Sequence, residues 1–345
     1  MSTGNSARPK RDRECDTIAL RPDLLRPVLW CAGMTLVLLA ASIDRQSLVP
    51  AAERTAPAFG ILLVVIAGGA IAERLGVFQL CARLVSSPRV PSALAALSAL
   101  GFTALISGAV NLDVAAVVAP QLAIRVSAQR GLNPGRMVIA TALTANATSF
   151  LLPTSNLTTL LVLNRSSISV AEYVRQSWAP WLLVTVFTIG LLAVLNGRST
   201  SEPSAPARFA VNRAIIPTIL DLLPMFVTAS AIRALLGGGL MLHGDFASQF
   251  ALGSVLAAGV NNLPASAAVR TAASGTPWAV IWAMAIGPNL LITGSVATLI
   301  CRRIALDLGV RFRAGDFSAL GVAMLPMQYL AACAGLAAVQ AGLTR

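Results

Sequence analysis

Residues 137–164, MVIATALTANATSFLLPTSNLTTLLVLN, carry no charge yet enclose a polar knot, Thr154-Ser155-Asn156-Leu157-Thr158-Thr159. A straight helix of this length, rising 1.5 Å per residue, overshoots a hydrocarbon core of about 30 Å. Hydrocarbon cannot satisfy amides and hydroxyls, so the knot must face protein, water or a passing solute. The economical reading is a helix that unwinds at the knot and then resumes.

The arrangement recurs downstream. A second uncharged run, 271–301, holds Gly287-Pro288-Asn289 and then Thr293-Gly294-Ser295-Val296-Ala297-Thr298. An apolar stretch broken at an asparagine precedes each run: Asn111-Leu112-Asp113 before the first, Asn261-Asn262-Leu263-Pro264 before the second. Both breaks suit the tip of a re-entrant hairpin, since Pro264 removes a backbone donor and an Asn side chain can bond the freed groups. Each run is also followed by an acid–aromatic pair and a proline: Glu172-Tyr173 with Pro180, and Asp316-Phe317 with Pro326. The ordered series points to an internal duplication. Broken-helix signatures in matching positions of two halves mark a transporter's binding site.

Composition sets the class. Apolar residues make up 56% and charged residues 12%, and the mean hydropathy is +0.75. A soluble chain carries about twice that charge fraction. Further uncharged runs lie at 27–43, 55–72, 90–112, 176–197, 246–269 and 317–344. They are continuous rather than alternating, which argues for helices and against a β-barrel. The expectation is an all-α polytopic membrane protein. The net charge of +12 sits mostly in arginines between runs, where it sets topology and meets lipid headgroups, so no nucleic acid is expected.

The division expected from this pattern starts with a basic, disordered cytoplasmic tail at 1–26. An extra transmembrane helix and loop follow at 27–54, and a first transmembrane repeat at 55–197. A Ser/Pro-rich linker at 198–213 leads to a second repeat at 214–345. Five scattered cysteines give neither a disulfide framework nor a zinc site. No phosphate-binding G-x-x-x-x-G-K-[ST] motif is present, nor H-E-x-x-H or G-x-S-x-G, so no cofactor and no enzyme activity are expected.

Asp113 is the acid set most deeply in apolar sequence. It reads either as a proton carrier or cation ligand, or as the cap of the half-helix that follows. The Asn and hydroxyl groups of both knots supply neutral donors and acceptors. Half-helix N-termini would suit an anion or a neutral oxo-acid, and unwound carbonyls a cation.

The segment 287–300, with Gly287-Pro288-Asn289 leading into Gly294-Ser295-Val296-Ala297-Thr298, resembles the signature of the arsenite/antimonite efflux permeases. Asn261-Asn262-Leu263-Pro264 and Ser155-Asn156-Leu157 with Glu172-Tyr173 are similar to further motifs of that family. The resemblance covers roughly residues 55–342 and extends to the wider ion transporter superfamily. It implies two inverted repeats, each with a re-entrant hairpin and a broken helix, and homodimers among relatives. The chain departs from the family at Leu112-Asp113, at Asn289, and at Asn146, which stands where an acid is common.

The expected function is efflux of a small inorganic oxo-species such as arsenite by proton antiport, in a bacterial plasma membrane. Asn111, Asp113, Asn146, Thr154, Ser155, Asn156, Asn261, Asn262, Asn289, Thr293, Gly294 and Ser295 would form the site. Asp113 would couple the proton. Partners would be the solute, the coupling ion (H+ or Na+), lipid, a second copy of the chain and, in one version, a separate ATPase subunit. The rival expectations are sodium-coupled carboxylate import and a non-transporting subunit or receptor.

Overall fold

The computed structural model describes residues 22–76, 80, 91–197, 212–236, 239–270 and 277–343. The expected tail up to residue 21 and the linker at 198–211 lie outside the described residues. The chain is an all-α polytopic membrane protein. Three of its helices, Ser92–Val110, Val170–Asn196 and Ala314–Gly342, are long and apolar enough to cross a bilayer unaided. Large apolar side chains on them, among them Val186, Val194, Val322 and Leu330, point outward, as a lipid-facing surface requires.

Helices α1 (Pro22–Asp44) and α2 (Leu48–Arg74) lead into α3 (Ser92–Leu105). The boundary expected between residues 54 and 55 falls inside α2. Glu53 and Arg54 lie within the second turn of a continuous helix that also absorbs Pro57. A π-turn, Ile106–Val110, carries α3 to Asn111, after which α4 (Leu112–Arg130) runs back. The Ser92 hydroxyl donates to the Arg130 carbonyl at 3.4 Å, so α3 and α4 are a hairpin with its tip at Asn111. Then come α5 (Pro134–Ala147), an unwound stretch with a 3-10 turn at Pro153–Ser155, α6 (Leu157–Leu163) and α7 (Val170–Gly197).

The second half repeats this order. Helix α8 (Asn212–Leu235) packs beside α1 and α2. Phe226 sets its ring edge-on to Phe59 at 4.7 Å, and Gly33 leaves room for Thr228. A second hairpin follows, α9 (Phe246–Val260) and α10 (Asn262–Ala268), with its tip at Asn261. Its open end is closed by a parallel bridge of Leu240–Met241 with Val269–Arg270. Asp245 caps α9 by accepting from the Ser248 N–H at 2.8 Å, and bonds from Ser248 hold its carboxyl below the usual range. Helix α11 (Trp278–Ile286), two 3-10 turns (Gly287–Leu290 and Ile292–Gly294), α12 (Val296–Asp307) and α13 (Ala314–Leu343) complete the half. Both expected broken helices are therefore present, as α5/α6 and α11/α12.

Contacts fix which ends lie together. Gly135, at the start of α5, packs against the Arg311 carbonyl just before α13. At the other end, Arg165 beyond α6 donates to the Val269 carbonyl at the base of the second hairpin, 3.0 Å. There too the Trp278 indole donates to Gln176 at 2.9 Å, joining the start of α11 to the start of α7. The hairpins thus open toward opposite ends of the molecule. The cores of the two halves merge through small and branched side chains of α3, α4, α5 and α12 and through Trp278 and Trp282 of α11.

Candidate functional site

Every half-helix that starts at a break is capped in the same way. The Asn111 Oδ1 accepts from the Asp113 N–H at 2.8 Å, and Asn156 Oδ1 from Thr158 N–H at 3.1 Å. Asn261 Oδ1 accepts from Leu263 N–H at 3.3 Å, and Ser295 Oγ from Ala297 N–H at 3.2 Å. Asn and Ser favour this position because a short side chain reaches an amide that the helix leaves unpaired. The tip asparagines do a second job. Asn111 Nδ2 donates to the Thr154 carbonyl at 3.2 Å, and Asn261 Nδ2 to the Thr293 carbonyl at 2.9 Å. Each hairpin tip is thereby tied to the break of its own half.

The four capped ends meet at one small recess, with a cavity of about 20 Å³, lined by Leu112, Asp113, Asn156, Leu157, Thr158, Asn262, Leu263, Ser295, Val296 and Ala297. That is room for an occupant the size of a water molecule. In register terms the lining consists of the cap residue, or the first or second residue after it, from α4, α6, α10 and α12. The Asp113 carboxylate is buried. Among the described residues, none donates a hydrogen bond to the Asp113 carboxylate, and Asn111 engages the backbone N–H. The N-termini of α4 and α12, the two longer half-helices, bring positive dipole ends to the same space.

The unwound segment of the first half is held open by α7. Trp181 Nε1 donates to the Thr148 carbonyl at 2.8 Å, the Tyr173 hydroxyl to the Phe150 carbonyl and the Ser177 hydroxyl to the Leu151 carbonyl at 2.7 Å. Ser155 Oγ covers the Ser149 carbonyl at 2.9 Å. Backbone that leaves a helix in an apolar setting needs such donors. The second break uses tighter coil instead. It coils into two 3-10 turns, the Gly294 N–H donating to the Leu291 carbonyl at 2.9 Å, and Gly321 of α13 lies so close that a Cβ there would overlap the Asn289 carbonyl.

Of the residues expected to form the site, the recess gathers Asp113, Asn156, Asn262 and Ser295. Asn111 and Asn261 position the tips. Thr154 and Thr293 contribute carbonyls, while the Ser155 hydroxyl is spent on its own loop. Gly294 packs against Pro288. Asn146 and Asn289 form a separate buried contact between halves. Asn146 Nδ2 donates to Asn289 Oδ1 at 3.0 Å and to Thr298 Oγ1 at 2.8 Å, and Asn289 Nδ2 to the Leu143 carbonyl at 3.1 Å. Thr158, absent from the expected set, lines the recess. Its register, two residues beyond a capping asparagine as in Asp113, was the signal that could have found it.

A model of the citrate transporter family (CitMHS) matches residues 17–244, which include α1 to α8 and so the whole first half of the recess. No curated protein matches the chain.

Proposed function

The chain belongs to the citrate transporter family, and on that premise we propose that it moves a citrate-like carboxylate across a bacterial plasma membrane, driven by a cation gradient. The observation that supports this reading is the recess itself, where capped half-helix ends from both halves converge. Dipole ends of α4 and α12 and the neutral donors of Asn156, Asn262 and Ser295 suit carboxylate oxygens. Asp113 supplies a carboxylate that carries the coupling proton or cation. The oppositely opening hairpins are read as two inverted repeats, the arrangement that lets one site face either side in turn. Arg125, Arg130, Arg136, Arg302, Arg303, Arg311 and Arg313 gather toward the end where α5 and α13 begin, which orients that end to the cytoplasm. A homodimer and a separate ATPase subunit rest on the resemblance to arsenite permeases alone.

The second reading is arsenite or antimonite efflux by proton antiport. It is favoured by Gly287-Pro288-Asn289 with the run to Thr298, and by a recess lining without Lys or Arg, which suits a neutral oxo-acid. Proteoliposomes holding the full chain, given labelled citrate or arsenite under imposed sodium and pH gradients, separate the two. Citrate accumulation is expected. Accumulation of arsenite alone would install the second reading, and binding without flux of either would mean a receptor or subunit.

A further inference from the structure

The four half-helices present equivalent positions to the recess, but the two halves fill them differently. Two residues beyond the cap, the first half places Asp113 on α4 and Thr158 on α6, while the second places Leu263 on α10 and Ala297 on α12. A carboxylate and a hydroxyl face a butyl and a methyl group. Thr158 is 2% exposed, lines the recess, and its Oγ1 has no hydrogen-bond partner among the described residues. A buried hydroxyl oxygen left unpaired costs free energy unless something completes it. Asn262, the second half's polar residue here, already uses its amide on the Met284 carbonyl at 3.3 Å.

We infer that the coupling cation binds in the first half alone, on the Asp113 carboxylate and the Thr158 hydroxyl, so that a single monovalent cation accompanies each substrate. Carboxylate, hydroxyl and amide oxygens are the ligands a hard cation takes, and a proton on Asp113 would use the same Thr158 acceptor. Among the described residues, Asp113 is the only titratable side chain lining the recess. Among the described residues, the charged positions of the surrounding helices lie outside this lining: Glu53, Arg54, Glu73 and Arg74 on α2, Arg125 and Arg130 on α4, Arg136 on α5, Arg213, Asp221 and Arg233 on α8, and Arg302, Arg303 and Asp307 on α12. The second half keeps the caps but, among the described residues, brings no charged side chain to the recess with which to hold a second cation.

This inference rests on the transporter reading, and one experiment tests both separately. The full chain is reconstituted in proteoliposomes and labelled citrate flux is followed in two arms, a sodium gradient at equal pH and a pH gradient without sodium. The arm that drives flux names the cation. Flux in that arm rises with the cation with a Hill coefficient of about 1, since the coefficient is bounded by the number of sites. Asp113→Asn abolishes the response and Asp113→Glu retains it. Thr158→Val raises the half-saturating cation concentration about tenfold, as losing one oxygen to a charged partner predicts. A Hill coefficient near 2, or an Asp113→Asn protein that still answers the gradient, overturns the one-sided site. Wild-type protein that moves no citrate in either arm overturns the transporter reading, and this inference with it.

Discussion

The two halves build their breaks from the same parts and stabilise them by different means. In the first, α7 reaches across with Trp181, Tyr173 and Ser177 to cover the carbonyls of a loosely unwound segment. In the second, the segment coils into 3-10 turns and α13 closes on it through Gly321. The acid–aromatic pairs fit this difference: Tyr173 needs its hydroxyl for the Phe150 carbonyl, and the matching Phe317 is a buried ring without one. The tips differ as well. Asn111 caps from extended backbone at φ −171°, whereas Asn261 sits at φ 80°, where side-chain-bearing residues are strained by about 1–3 kcal/mol. Shared capping therefore sets the geometry of the recess, while the residues next to the caps divide its chemistry, with the charge in one half only.

The largest expected effect breaks that division. Asp113→Asn lowers gradient-driven citrate accumulation in proteoliposomes by about 100-fold, the upper part of the range for coupling between sites, while the purified protein keeps its melting transition. Gly321→Ala strikes the second break. The new methyl meets backbone rather than a yielding side chain, so a loss of about 3 kcal/mol or more is expected. Gly315→Ala in the same helix meets nothing and stays within about 0.5 kcal/mol. Melting curves in detergent compare the pair.

Replacing the tip asparagines sharpens the contrast between the halves. Asn111→Ala removes a cap, at about 1 kcal/mol. Asn261→Ala also removes a cap, at about 1 kcal/mol, because the asparagine already carries the Cβ strain of its positive φ. Asn261→Gly loses the cap but relieves that strain, whereas Asn111→Gly relieves none, and equal melting shifts for the two glycines would erase the difference between the tips. A comparable effect comes from making the halves alike. Tyr173→Phe leaves the Phe150 carbonyl unpaired and lowers stability by about 1–2 kcal/mol, read from the same curves.

Much of this was legible in the residues. An uncharged run too long for one span, with Asn156 or Ser295 inside it, can only break there, because hydrocarbon pairs no amide. The helices after the breaks run unbroken through Pro180 and Pro326, as their apolar composition required. The start of α2 was less legible. The expected loop up to residue 54 is helical from Leu48 onward, because nothing in the backbone of this stretch breaks the helix. The site was legible only in part. Asp113, Asn156, Asn262 and Ser295 line the recess, while Asn146 and Asn289 pair with each other outside its lining.

By itself, then, the sequence determined where the helices break and which residues cap the pieces, since both follow from local demands of the backbone: a missing donor, a short polar side chain, an apolar surrounding. Only the tertiary structure decided that the four capped ends meet, that Thr158 lines the recess with its buried hydroxyl unpaired among the described residues, and that Leu263 and Ala297 occupy the places of Asp113 and Thr158. Those facts depend on half-helices from opposite halves of the chain crossing at one point. No local pattern encodes such a crossing, because packing between distant segments sets it.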